Sequence, residues 1–209
     1  MDARSPGARA VPAVLWLGLL EGPSGYADEA RGFLRALEAA GHSPAARHLF
    51  GAAAGDAHLD ARERALLRLQ LGRSDRGAKV AVHHYAPAWC RQPAVVGDMP
   101  NVARTMFETD RLPAAWLDQL LLRDEVWVPC EHNREAFERS GIPSSRLRVI
   151  GGTLDFDRYA PGAEPLELDV PADHLVYLSN FEFSERKAWR ELLLAWARTF
   201  APTDPIPSS

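Results

Sequence analysis

Cysteine is scarce in this chain, which has only Cys90 and Cys130 among its 209 residues. Two cysteines cannot build a disulfide framework, so the composition favours a reducing compartment such as the cytoplasm. The chain also has no C-x-x-C or H-E-x-x-H spacing that would gather cysteines and histidines around zinc. We therefore predict no bound metal.

A basic face and a long apolar run are lacking as well. The formal net charge is -4, and arginines and lysines occur singly along the chain. Because binding to nucleic acid requires a basic surface, nucleic acid is not an expected partner. The apolar run "AVLWLGLL" has only about eight residues, too few to span a bilayer, and we interpret it as a buried strand.

The sequence also lacks the common nucleotide-binding signatures. Gly18, Gly22 and Gly25 follow the first apolar run, but their spacing differs from G-x-G-x-x-G. No Gly-Lys-Ser/Thr sequence occurs anywhere, so a P-loop is excluded. These absences argue against an NAD site and against a P-loop nucleotide site.

Short apolar segments that alternate with helical patterns are what the chain does contain. Strands are predicted at residues 13–19, 46–50, 79–85, 101–109, 125–129 and 147–152. Helices are predicted at residues 29–40 and 61–71, from Pro113 onward, and over 134–140. This order is typical of βαβ units, so we predict a Rossmann-like α/β fold, with a parallel sheet and helices on both faces.

Ligands bind such sheets at the carboxyl ends of the strands, where this chain carries several chemically capable residues. Gly22, Gly25 and Tyr26 lie in the first such loop, and the two glycines would let a ligand approach the backbone closely. A plain strand-to-helix turn is the alternative. His83 and His84 end the third strand, where a histidine has a binding role or a structural one.

The segment "DEVWVPCEHNREAF", residues 124–137, places Cys130, Glu131, His132 and Asn133 directly after a strand. A thiol at the start of a helix can be a nucleophile, because the helix dipole lowers its pKa. The same position is also where a helix N-cap belongs, and Asn133 is close enough to share the free amides of the first turn. We favour the capping role.

The segment "TMFETDRLPAAWLDQLLLRDEVWVPCEHNREAFERSGIPSSRLRVIGGTLDFDRYAP", residues 105–161, resembles the GT-B glycosyltransferases of the glycosyltransferase 4 / group 1 type. The family pattern of D-E-V-W-V-P-S-x-x-N-x-x-x-F, an "sGi" turn, a "kv.vi" strand and an Asp-containing hinge is matched in order. Cys130 stands where the family usually has serine, which agrees with a capping role.

Residues 176–200 resemble the first strand, loop and helix of the second domain of this family, which holds the nucleotide-sugar. By this resemblance, Arg186 and Lys187 would contact the donor diphosphate. Two positions depart from the family pattern: its usual arginine is replaced in the stretch 179–180, and its usual glycine is Ala188. The E-x7-E segment that binds the donor sugar is missing.

The resemblance implies an acceptor-side GT-B domain over residues 1–165 and the start of a truncated donor-binding domain over 166–209. It implies glycosyl transfer from a nucleotide-sugar to a glycan or lipid acceptor, with no other cofactor. Glu108 and Asp110 would be the catalytic carboxylates, and Gly22, Gly25, Tyr26, His83 and His84 would bind substrate. A surface carboxylate pair beside Arg111 is the alternative for the two acids.

Because positioning both reactants supplies much of catalysis, we expect little activity from this chain alone. A separate chain that supplies a donor domain could be its partner, and a lipid acceptor would bring it to the membrane periphery. Without partner strands, the apolar segment 174–179 should pack loosely. The alternative function is a non-catalytic carbohydrate- or protein-binding module that kept the fold.

Overall fold

A computed structural model describes residues 13–49, 55–89, 97–156, 159, 161–162, 164, 167–171 and 175–201. Cys90 lies outside these residues, as do the ends of the chain. The chain divides into two compact units, Met1–Tyr159 and Ala160–Ser209, which are described separately.

Within the described residues, the first unit contains a six-stranded sheet and four α-helices. In chain order these are β1 (Ala13–Gly18), α1 (Gly25–Ala39), β2 (Ala45–His48), α2 (Ala61–Gly72), β3 (Ala78–His84), β4 (Asn101–Arg104), α3 (Ala114–Leu121), β5 (Glu125–Val128), α4 (Glu131–Arg139) and β6 (Leu147–Val149). All neighbouring strands are parallel, in the order β2-β1-β3-β4-β5-β6. The predicted Rossmann-like α/β architecture is confirmed.

Alternate residues of the strands face opposite sides of the sheet, and each side buries its own apolar cluster. On one side, Trp16 of β1 packs in a cluster that includes Leu34 of α1 and Leu67 of α2. On the other side, Val126 of β5 packs with Leu120 of α3 and Phe137 of α4. The sheet is therefore covered by helices on both faces.

The two boundaries that differ most from the sequence prediction do so for local reasons. Helix α1 begins at Gly25 instead of residue 29, because the Ser24 hydroxyl accepts a hydrogen bond from the Ala27 amide at 3.2 Å and caps the helix. Strand β4 ends at Arg104 instead of residue 109. Beyond it, the carbonyl of Phe107 accepts a hydrogen bond from the Asn133 side chain at 2.6 Å instead of joining the sheet.

In the second unit, the described residues contain a short 3-10 helix (Glu185–Lys187) and the helix α5 (Trp189–Thr199). Residues 175–180 form no strand, contrary to the prediction, and Leu178 among them is 91% exposed. Ala188 has a φ of 52°, a left-handed conformation that favours glycine. None of the residues of α5 is buried.

Over the whole described part of the chain, no helix combines the length and the apolar character needed to cross a membrane.

Candidate functional site

The candidate site lies at the carboxyl edge of the sheet, beside the point where the strand order reverses. From β1 the chain proceeds to β2 on one side, whereas β3 lies on the other side of β1. In sheets of this kind, the loops that leave two such strands diverge, and ligands bind in the crevice between them. Strand β4 is the neighbour of β3, so the loop after β4 lies at the same edge of the sheet.

The turn between β1 and α1 lies at this edge and contains the predicted glycines. Gly22 is buried and has a φ of 88°, which a residue with a side chain rarely adopts. Gly25 is exposed, and a Cβ placed on it would have no atom within 4 Å. A ligand could therefore approach the backbone of Gly25 and the first amides of α1, where the helix dipole is positive.

Tyr26 is half-buried in the first turn of α1, with its ring 5.5 Å from the ring of His84. Burial raises the pKa of Tyr26 to about 12, and the nearby charges of Glu108 and Glu29 act in the same direction. The phenol is therefore protonated at neutral pH and can donate a hydrogen bond.

A cluster of charged side chains lies beneath Tyr26 and joins three elements. Glu29 of α1 contacts Arg104 at the end of β4, with 2.7 Å between Oε1 and Nη2. The same carboxylate lies 2.8 Å from Nε2 of His84 at the end of β3, although the angle is not that of a hydrogen bond. Arg104 also donates a hydrogen bond to the Ile150 carbonyl and lies over the ring of Phe33, 5.2 Å from its centre.

The electrostatics of this cluster fix its protonation. Burial alone would raise the pKa of Glu29, but the hydrogen bonds and the positive charge of Arg104, together with the His84 ring beside the carboxylate, outweigh burial and lower the pKa to about 2. Burial lowers the pKa of His84 below its usual value, so the imidazole is neutral at pH 7. The cluster is therefore an ion pair between Glu29 and Arg104 with a neutral histidine beside it.

His83 points to the opposite side of the sheet from His84 and is also buried. Its Nε2 lies 2.9 Å from Oδ1 of Asn101, and burial lowers the pKa of His83 to about 4. The exposed fractions of His83 and His84 are only 1% and 0%. Both histidines are therefore buried at the end of β3. Their role in substrate binding stays a prediction.

Glu108 and Asp110 lie exposed on the loop that follows β4. Glu108 is near enough to Tyr26 for its charge to raise the pKa of the phenol. The main-chain carbonyl of Asp110 accepts a hydrogen bond from Nε of Arg139 in α4, at 3.4 Å. The structure therefore places Glu108 on an exposed loop at the same edge of the sheet as the start of α1, while the catalytic role of the two acids stays a prediction.

The remaining predicted residues lie elsewhere. Cys130 is exposed at the N-cap position of α4, as predicted, but its side chain makes no capping hydrogen bond. Arg186 and Lys187 are exposed in the 3-10 helix of the second unit. Within the described residues, no group of three or more His, Cys, Asp or Glu side chains could hold a metal ion.

The pairing of Glu29 with Arg104 was not predicted from the sequence. Arg104 could have been noticed as a charged residue that ends an otherwise apolar strand. Glu29 lies one helical turn before Phe33, on the side of α1 that faces the sheet. Their pairing joins positions 75 residues apart, which periodicity cannot reveal.

A groove of about 440 Å³ runs along α1 and is separate from the predicted residues. Its lining consists of Gly32, Arg35, Ala36 and Ala39 of the helix and Thr153, Leu154, Asp155 and Phe156 of the chain beyond β6.

Comparisons with models of protein families, with curated proteins and with solved structures gave no match.

Proposed function

We propose that this protein takes part in glycosyl transfer from a nucleotide-sugar to a glycan or lipid acceptor. In this proposal the first unit binds the acceptor at the carboxyl edge of its sheet. The support comes from two sources: the ordered resemblance of residues 105–161 to GT-B glycosyltransferases, and a parallel-sheet fold in which Gly25, Tyr26 and Glu108 follow strands at one edge.

The observation that carries the proposal is that the exposed Gly25, with Tyr26 beside it at the start of α1, and the exposed loop that carries Glu108 follow strands at the same edge of the sheet. The carboxylate of Glu108 would accept a hydrogen bond from an acceptor hydroxyl and remove its proton during transfer. The phenol of Tyr26 would donate a hydrogen bond to the same sugar. A glycine at the start of α1 leaves room for the ring of the sugar.

The second unit would supply part of the donor site, and a separate donor-binding domain would supply the rest. Arg186 and Lys187 are exposed and adjacent in the chain, and their charges would neutralise the diphosphate that leaves with the nucleotide. The protein would act in the cytoplasm, at the membrane periphery if its acceptor is a lipid.

A transfer assay tests the proposal. The full chain is incubated with nucleotide-sugars labelled in the sugar and with glycan or lipid acceptors, alone and after addition of a separate donor-binding domain. We expect label in the acceptor when the donor domain is present, with a rate about 10²-fold lower for Glu108→Gln. Glu135→Gln, which alters an exposed carboxylate of α4, serves as the control and should leave the rate unchanged.

One observation favours the alternative, a non-catalytic carbohydrate- or protein-binding module. The described residues of the second unit form no strand, so a folded donor site is not assembled among them. Glycan binding without transfer in any combination would support a binding module. Binding of neither glycan nor nucleotide-sugar would contradict the proposed function.

A further inference from the structure

We propose that Asn133 is a positioning residue, which holds the loop after β4 so that Glu108 meets the acceptor. This inference rests on the proposed function, because it assigns a role within the same site. The sequence suggested only that Asn133 shares in capping α4. The structure instead directs its side chain across to the loop that carries Glu108.

The contact between Asn133 and the loop is buried and short. Asn133 is 5% exposed, and its Nδ2 donates a hydrogen bond to the carbonyl of Phe107 at 2.6 Å. A buried amide is costly unless it is hydrogen-bonded, so its presence in the first turn of α4 calls for such a partner. The partner is the residue immediately before Glu108.

Other contacts hold the rest of the loop. The hydroxyl of Ser140, at the end of α4, accepts a hydrogen bond from the Leu112 amide at 2.8 Å and donates one to the Ala136 carbonyl at 2.7 Å. The ring of Phe107 packs edge-on against Trp116 of α3, with 5.0 Å between ring centres. The exposed residues 108–111 are thus held at both ends.

Of these anchors, Asn133 is adjacent to the candidate base. A carboxylate that removes a proton must lie within hydrogen-bond reach of the hydroxyl, and an error of about 1 Å is costly. Loss of the hydrogen bond from Asn133 leaves the carbonyl of Phe107, the residue before Glu108, without this partner. Loss of the hydrogen bond to Ser140 affects Leu112, which lies four residues after Glu108. The two contacts should therefore differ in their effect on the ligand.

The substitution Asn133→Asp gives a sharp test because aspartate has the same shape as asparagine but has a carboxyl oxygen in place of the Nδ2 donor. A carboxylate cannot donate to the Phe107 carbonyl, but a protonated carboxyl group can, and burial raises the pKa of a carboxyl group. We expect this variant to bind the glycan recognised by wild type about tenfold more weakly at neutral pH. Its affinity should recover as the pH falls to about 5.

Amide exchange over residues 107–110 of the full chain provides the second readout. Exchange should be about tenfold faster in Asn133→Asp at neutral pH and should also return toward wild type in acid, after correction for the intrinsic pH dependence of exchange. Asn133→Ala should show the loss of affinity without recovery, and Ser140→Ala should leave affinity within about twofold. Glu135→Gln controls for a charge change on the same helix.

Unchanged exchange and affinity in Asn133→Asp at neutral pH would overturn the inference. Equal losses in Asn133→Asp and Asn133→Ala at every pH would also overturn it, since a general structural role predicts no recovery in acid. If wild type binds no glycan, the proposed function fails, and with it the role of Asn133 in that function. The exchange measurement then decides separately whether Asn133 orders the loop.

Discussion

Arg104 is fully buried at the end of β4, although a guanidinium group is among the side chains most costly to remove from water. Three contacts offset this cost: the Glu29 carboxylate, the Ile150 carbonyl and the ring of Phe33. Glu29 and Phe33 lie on successive turns of α1, and Ile150 follows β6. A single side chain therefore fixes the geometry of the edge on which the candidate site lies.

At the residue scale, burial of His83 should make the free energy of unfolding depend on pH. Its pKa is lowered from 6.5 to about 4 by burial in the folded protein. On acidification the unfolded chain therefore takes up the proton first, and stability falls as the pH drops from about 6.5 toward 4. Above pH 6.5 the histidine is neutral in both states and contributes no slope. The full shift corresponds to about 3 kcal/mol.

The substitution His83→Gln should remove that contribution, because the amide can still donate to Oδ1 of Asn101 but does not titrate. We expect the loss of unfolding free energy between pH 6.5 and 4, measured by urea denaturation, to be about 3 kcal/mol smaller in the variant. His84 acts in the same direction in wild type and variant, so the difference between the two proteins isolates His83. Identical pH profiles would contradict the assignment.

At the element scale, the segment that follows β6 is fitted closely against α1. A Cβ on Gly32 would lie 1.9 Å from the hydroxyl of Thr153, and a Cβ on Gly152 would lie 2.9 Å from Oε1 of Glu29. A side chain at Gly32 would therefore clash with that of Thr153, and one at Gly152 would displace the Glu29 carboxylate. Together with the hydrogen bond from Arg104 to the Ile150 carbonyl, these contacts join α1, β4 and the segment after β6.

The substitution Arg104→Met tests this connection. It leaves the Glu29 carboxylate buried without its cation, so we expect a loss of unfolding free energy of about 3–5 kcal/mol. Amide exchange at residues 150–153 should increase as well. Arg148→Met is the control, because its ion pair with Glu125 is half-exposed and should contribute no more than about 1 kcal/mol. Equal losses in both variants would refute a special role for the buried cluster.

The sequence located each element of the first unit but missed some of their ends. Apolar periodicity identified β1 and α3 because burial on a fixed face produces it. The start of α1 was missed because the cap depends on the Ser24 hydroxyl, and the end of β4 was missed because Asn133 competes for the main chain. Such boundaries depend on single hydrogen bonds, which periodicity does not record.

The candidate site was predictable only in part, for a related reason. Strand ends in a parallel sheet meet at one edge, so Gly25, Tyr26 and Glu108 could be grouped from the sequence. Whether a side chain at a strand end faces solvent or the interior depends on packing across the sheet. His83 and His84 were therefore identified by position, but their burial could not be.

At the scale of the whole molecule, the second unit buries none of its described residues. Helix α5 has eleven residues, none of them buried, and a helix of that length is marginal in water without packing. We expect amide exchange over residues 175–200 to be much faster than in α1, whose buried residues include Ala30 and Leu34. Uniformly slow exchange over 175–200 in the monomer would contradict this prediction.

The central claim is that a glycan binds at the edge formed by the glycine turn and the loop that carries Glu108. A glycan array first identifies a glycan that the wild-type protein binds. The most direct test then compares the affinity of the full-length Gly25→Leu and Gly72→Leu variants for that glycan. Both glycines lie at helix ends with no atom within 4 Å of an added Cβ, so both variants should fold. We expect at least about tenfold weaker binding for Gly25→Leu and a change within about twofold for Gly72→Leu. Wild-type affinity in Gly25→Leu, or no glycan bound by wild type, would contradict it.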